Sequence, residues 1–304
     1  MLRTPYFYER AMPRPIRPYL FLLLLAACDT PPAPPPPSRP RPAPTGYFFA
    51  VTDGSTLPAG NGNLLKIDAA TGAHSLVGNT GYQGLEDLAW VDGKLLAVGY
   101  PGDGISYHNF LIRMNPKTGA ATPIGVVKSD KTTYQFIEAL ATVDGVLYAS
   151  ASDKGSYCPD CSDHLITIDP RTGAATEVGP FGPEFRNIEA MAYSPKYGLI
   201  GADIGTLIGP AFTEFHTTPA LVSIDRKTGL ATKIADLPRD LFLCGLDFDD
   251  DGNLYASTFP SHFGGKSRLV LVGPEDGVIR EVGEMGTNNV DGLLYVSPFR
   301  MNLR

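Results

Sequence analysis

Five stretches of the chain repeat one pattern of apolar and polar positions and align without gaps. They read LLKIDAATGAHSLVG from Leu64, LIRMNPKTGAATPIG from Leu111, LITIDPRTGAATEVG from Leu165, LVSIDRKTGLATKIA from Leu221 and LVLVGPEDGVIREVG from Leu269. Each opens on a strand-length run of Leu, Ile and Val in partial alternation, passes a turn of the D-P-x-T-G type, and resumes as a second short run. In such a turn the Asp accepts backbone N–H groups, the Pro presets φ and the Gly takes a left-handed position. Each stretch therefore predicts a β-hairpin. Asp68, Asp169 and Asp225 belong to the turns rather than to a ligand set.

Between these hairpins runs a second kind, LEDLAWVDGKLLAV from Leu85, IEALATVDGVLYAS from Ile137, IEAMAYSPKYGLIGA from Ile188 and LCGLDFDDDGNLYAS from Leu243. The two kinds together make four-stranded units, and successive starts 47, 54, 56 and 48 residues apart match the period of propeller blades. VDGLLYVS, from Val290 to Ser297, is an innermost strand with no partners after it. Tyr47 to Thr52 and Leu64 to Gly78 are three strands with no innermost strand before them. Joined, they complete a fifth blade and remove the open sheet edges. Long amphipathic helical periods are absent. The expectation is an all-β domain over residues 46–304, a five-bladed propeller closed by its C-terminal strand.

Residues 1–45 follow another logic. Arg3, Arg10, Arg14 and Arg17 precede a short apolar run, Tyr19 to Ala27, too short to span a bilayer. The run ends in Leu25-Ala26-Ala27-Cys28, which resembles the lipobox of bacterial lipoproteins. The resemblance implies that residues 1–28 form a signal peptide with Cys28 as the lipidated residue, carrying palmitate-type acyl chains. It further implies a cell-envelope location, anchored in the membrane and facing the periplasm or the exterior. Residues 29–45 are proline-rich and predict an extended spacer. The hairpins themselves resemble those of bacterial exported propellers with IDPxTGAAT-type repeats. That resemblance covers nearly all of the chain beyond residue 45 and implies architecture rather than activity.

Charge narrows the partners. Four of the 25 basic and one of the 32 acidic residues lie in residues 1–28, which leaves the rest with a net charge of −10. With no basic stripe, a nucleic-acid partner is not expected. Cys158 and Cys161, in C-P-D-C, predict a tight disulfide in an oxidising compartment, with a redox pair or half a zinc site as the weaker readings. Cys244 is left over, and is expected buried and reduced.

The candidate chemistry lies at the start of the innermost strands. Glu86, Glu138, Glu189 and Asp291 occupy one equivalent position in four blades, with Cys244 in the fifth. Rotational symmetry gathers the four carboxylates at one mouth of the channel, where their repulsion calls for a cation, shared protons or water. Oxygen-rich ligation suits calcium or magnesium rather than a soft metal. The cluster resembles the axial calcium site of five-bladed calcium-activated nucleotidases, though Cys244 interrupts it and the other motifs of those enzymes are not evident. The other reading is the lining of a wet channel.

His108, His164, His216 and His262 fall between the second and third strands of their blades, on the same face as the ring. They are the catalytic candidates, as loop bases. Tyr82, Tyr134, Phe136, Phe185 and Phe242 are the expected ligand-binding aromatics of that face. Asp247, Asp249, Asp251 and Gly252 match the opening of an EF-hand loop, but Thr258 stands where its last ligand, Glu, is needed, so a hairpin turn is the better reading. Two functions compete. One is an envelope lipoprotein that binds a protein, glycan or small-molecule ligand, with or without an axial divalent cation. The alternative is a metal-dependent hydrolase or lyase at the channel mouth. The absence of a readable catalytic constellation favours the first.

Overall fold

The computed structural model describes residues 46–52, 62–101, 108–134, 136–152, 163–205, 207–208, 214–215, 217–260 and 265–297. The expected lipobox with Cys28, the proline-rich spacer, the C-P-D-C pair Cys158 and Cys161, His216 and His262 lie outside these residues.

The strands follow the repeat. Blade 1 contains β1 (Tyr47–Thr52), β2 (Asn63–Asp68) and β3 (His74–Asn79). Blade 2 contains β4 (Tyr82–Gln83), β5 (Leu88–Val91), β6 (Lys94–Pro101), β7 (Phe110–Met114) and β8 (Ala121–Val126). Blade 3 is β9 (Phe136–Val143), β10 (Val146–Ser152), β11 (His164–Ile168) and β12 (Ala175–Pro180). Blade 4 is β13 (Ile188–Ser194), β14 (Gly198–Asp203), β17 (Ala220–Ile224) and β18 (Ala231–Asp236). A two-stranded hairpin that the repeat did not announce, β15 (Leu207–Ile208) with β16 (Glu214–Phe215), sits in its long middle loop. Blade 5 is β19 (Leu241–Phe248), β20 (Leu254–Pro260), β21 (Arg268–Val272) and β22 (Ile279–Glu284).

The last strand, β23 (Val290–Val296), pairs antiparallel with β1 and so becomes the innermost strand of blade 1. The innermost strands β5, β9, β13, β19 and β23 neighbour one another in a closed circle. The protein is an all-β, five-bladed propeller. Its apolar interior is divided accordingly into five main clusters, each lying between two adjacent blades. Leu96, Leu111 and Leu147, for example, meet between blades 2 and 3, and Phe48, Leu269 and Leu293 between blades 5 and 1.

The repeated T-G and the glycine six residues after it hold neighbouring blades together. A Cβ on Gly78, in the outermost strand of blade 1, would lie 1.9 Å from the carbonyl oxygen of Thr118 in the turn of blade 2. Gly119 completes that contact at φ +76°, a conformation a side chain would strain. The same contact closes the ring, since a Cβ on Gly283 of blade 5 would lie 2.1 Å from the carbonyl oxygen of Thr71 in blade 1. The turn acids act as expected: Asp68 Oδ1 accepts the amides of Ala70 and Thr71 at 3.1 and 2.9 Å.

Candidate binding site at the channel mouth

Every innermost strand is irregular at or just beside the position that carries an acid in four blades and Cys244 in the fifth. In blade 3, Ala139 faces Ser150 and Ile137 faces Ala151, so Glu138 is one residue too many for the ladder. Glu189 is the extra residue between Ile188 and Ala190 in blade 4, and Cys244 between Leu243 and Gly245 in blade 5. In blade 1 the register slips just after Asp291. In blade 2 the innermost strand breaks outright, with Glu86 and Asp87 between β4 and β5. A bulged residue leaves the ladder and its side chain is re-aimed, a device found at barrel rims and beside functional sites.

The bulges bring the acids together. Burial pushes the Glu189 carboxyl well above the ordinary carboxylate range, and the charges of Glu138, Glu86, Asp291 and Asp163 push it further. Three of those four neighbours are the ring positions of the other blades. Glu138 is buried, while Glu86, Glu189 and Asp291 keep partial access to water. Cys244, a buried thiol, fills the fifth position against Ile204 and Phe242.

Two further carboxylates flank the ring between blades 3 and 4, and the repeat did not reveal them because they lie at a strand margin. Asp163, fully buried just before β11, accepts the amide of Ile188 through Oδ2 at 3.1 Å. Its Oδ1 is buried and meets no hydrogen-bond donor among the described residues. Burial, then the charges of Glu138 and Asp203, raise its pKa well above the usual range. Asp203, at the end of β14, accepts the amides of Asn187 at 3.0 Å, Arg186 at 3.2 Å and Gly205 at 3.1 Å. Burial outweighs these bonds and lifts it to about 7.

Asp87 stands next to Glu86 but inside the channel. Its carboxyl accepts the amides of Leu88 at 2.7 Å and Leu140 at 2.8 Å, and also bonds the backbone of Leu293. Burial nevertheless drives it well above the normal range. It stands where the other blades carry Ala139, Ala190, Gly245 and Gly292.

The donor chemistry of the mouth suits a hard cation, since its groups are carboxylates. Among the described residues, however, no three His, Cys, Asp or Glu side chains are already disposed around one metal position. Two of the candidate histidines, His108 and His164, are described. His108 is exposed. His164 bonds Glu177 at 2.7 Å across β11 and β12, in the outer half of blade 3. The aromatics divide. Tyr134, Phe185 and Phe242 are buried among apolar neighbours, the first two on loops that fold back over the blade interfaces and Phe242 within β19. Tyr82 is partly buried, and Phe136 keeps 38% of its surface in water.

No known protein family matches the chain, and no curated protein does. Among solved structures, the chain is similar to a chain of a nidogen/laminin complex, at 13% identity and a TM-score of 0.49 over 83% of this chain and 85% of that one. It is similar to TolB from Acinetobacter baumannii at 15% identity and a TM-score of 0.46 over 79% of this chain. It spans about half of TolB, 53% of that chain. A periplasmic gluconolactonase from Pseudomonas aeruginosa gives 12% identity and a TM-score of 0.44 over 82% of this chain and 99% of that one. Likeness at this level carries neither activity nor ligand across.

Proposed function

We propose that this protein is a binding module of the bacterial envelope, held to the membrane through lipid on Cys28, that engages its ligand or partner at the acidic mouth of the propeller channel. A divalent cation of the calcium kind completes the mouth. The observation that supports this is the convergence on Glu189 of the charges of Glu138, Glu86 and Asp291, one from each of the other acidic blades. Four carboxylates within electrostatic reach of one another resist full ionisation, and a cation relieves their repulsion. Calcium tolerates a wide, adaptable oxygen shell better than magnesium does, and the flexible Glu side chains can close upon it. Catalysis is the weaker reading, because His108 is exposed and His164 is engaged with Glu177 in the outer half of blade 3.

The test is thermal melting of the purified protein with calcium, magnesium or chelator. A ligand that binds only the folded state raises the Tm by mass action. Calcium should raise it more than magnesium, and the Glu138→Gln/Glu189→Gln double variant should lose the response. A Tm indifferent to calcium and to chelator, with no metal retained, overturns the cation. Cys28→Ser should move the protein from membrane to soluble fractions, and unchanged partitioning overturns the anchor.

A further inference from the structure

Asp163 has more capacity than its place in the fold requires. Two residues before Leu165, it accepts the amide of Ile188, the first residue of β13, at 3.1 Å. Blade 5 makes the same contact with a neutral group: Ser267, two residues before Leu269, accepts the amide of Val290, the first residue of β23, through Oγ at 3.2 Å. One hydroxyl oxygen therefore suffices for this joint. Blade 3 places a carboxylate there, and its second oxygen, Oδ1, is buried and meets no donor among the described residues. Asn187, beside Ile188, repeats the feature. It is 2% exposed, and its Oδ1 is likewise buried without a donor among the described residues. The backbone of Asn187 is already committed, its amide to Asp203 and its carbonyl to the amide of Ile204, each at 3.0 Å. A buried acceptor left without a partner is costly, and a carboxylate more so than an amide. Two of them at one strand end point to a bound group.

We propose that Asp163 Oδ1 and Asn187 Oδ1 bind a divalent cation of the calcium kind at the junction of blades 3 and 4, off the channel axis. This rests on the reading of the mouth as a cation site, and it assigns the ion to one side of that mouth. The surroundings are negative. Glu138 and Asp203 are the charges that bear on Asp163, and Glu138, Glu86, Asp291 and Asp163 those that bear on Glu189. Arg186, the basic residue of this segment, turns its Nε to the carbonyl of Pro183 at 2.9 Å. Asp203 is occupied by three backbone amides and contributes charge alone. Glu138 and Glu189, both on bulges, flank the pair and can close on the ion from the channel, with water completing its shell. Calcium accepts a mixed shell of carboxylate, amide carbonyl and water in adaptable geometry, whereas magnesium dehydrates reluctantly and keeps several waters. Two buried oxygens held by the fold therefore favour calcium. The repeat hides such a site, because the positions equivalent to Asp163 carry Gly62, Asn109, Pro219 and Ser267.

The experiment measures calcium binding to the purified full chain by calorimetry, for wild type and single variants. Asp163→Asn should weaken calcium on the order of a hundredfold and Asn187→Ala roughly tenfold, as the loss of a charged and of a neutral ligand. Glu86→Gln and Asp291→Asn, in blades 2 and 1, should weaken it only about threefold, through lost long-range attraction. Ser267→Ala removes the equivalent joint in blade 5 and should leave the affinity unchanged, so that a loosened strand end does not account for the losses in blade 3. Asn187→Asp keeps the oxygen and adds a charge. Its Tm should fall below that of wild type without calcium and recover with it, a readout that decides the matter if Asp163→Asn fails to fold. Calcium binding that survives Asp163→Asn and Asn187→Ala but is abolished by Glu86→Gln and Asp291→Asn puts the ion on the axis: this proposal then falls and the reading of the mouth stands. If the wild type binds no calcium, both fall. A Tm of Asn187→Asp that calcium raises no more than it raises the wild type also overturns the off-axis site.

Discussion

The carboxylate of Asp87 in blade 2 accepts the backbone amide of Leu140 in blade 3 at 2.8 Å, across 53 residues of sequence. The innermost strand of a blade has one edge without a strand partner, and its amides face the channel. Asp87 satisfies such amides on both sides, Leu140 of blade 3 and Leu293 of blade 1. Room for it exists because a glycine stands opposite: a Cβ on Gly292 would lie 2.8 Å from the Asp87 Cα. Asp87→Ala leaves buried donors without an acceptor and should destabilise the domain by about 1–3 kcal/mol, with Asp87→Asn between it and wild type. Denaturant unfolding checks this, and an unchanged midpoint for Asp87→Ala would show that water serves these amides equally well.

Asp203 makes stability depend on pH. Its pKa in the folded protein is about 7, against an ordinary value of 3.8. Below the ordinary value both states are protonated. Between the two values the folded state keeps a proton that the unfolded state has lost, so folding takes up a proton. The contribution of Asp203 is therefore fully present below about pH 4, falls as pH rises through the window, and levels off above about 7. The full swing is on the order of 4 kcal/mol. Asp203→Asn should flatten the decline in Tm between these limits relative to wild type. Parallel Tm profiles for the two proteins would falsify the assignment.

Ring closure depends on a glycine in blade 5. A methyl group on Gly283 would be driven against the carbonyl oxygen of Thr71, a backbone atom that cannot swing aside. Gly283→Ala should cost about 1–3 kcal/mol, as overpacking commonly does. A chain ending at Gly286 loses β23 and with it the buried Val290, Leu293 and Tyr295. It should lose cooperative melting altogether, and calorimetry distinguishes the two outcomes. If the shortened chain melts as sharply as the intact one, β23 does not close the ring.

The repeat and everything local to it were legible in the order of residues. The turn acids, the glycines after them and the run of β-branched strands are encoded within about fifteen residues of one another, so five hairpins, five blades and the closing strand could be counted from the letters. The equivalence of Glu86, Glu138, Glu189 and Asp291 was legible for the same reason, because a repeat superposes like positions. Tertiary structure decided the rest. It turned Glu138 and Glu189 into bulges, since a bulge depends on the register of a partner strand. It set Asp163 and Asp203 beside the ring and gave Asp87 its amides on two other blades. It buried Tyr134, Phe185 and Phe242, because whether an aromatic faces water depends on the blade it packs against. It also opened a cavity at the far ends of the innermost strands, whose walls come from strand ends some fifty residues apart. No periodicity within one blade describes the space that five blades enclose together.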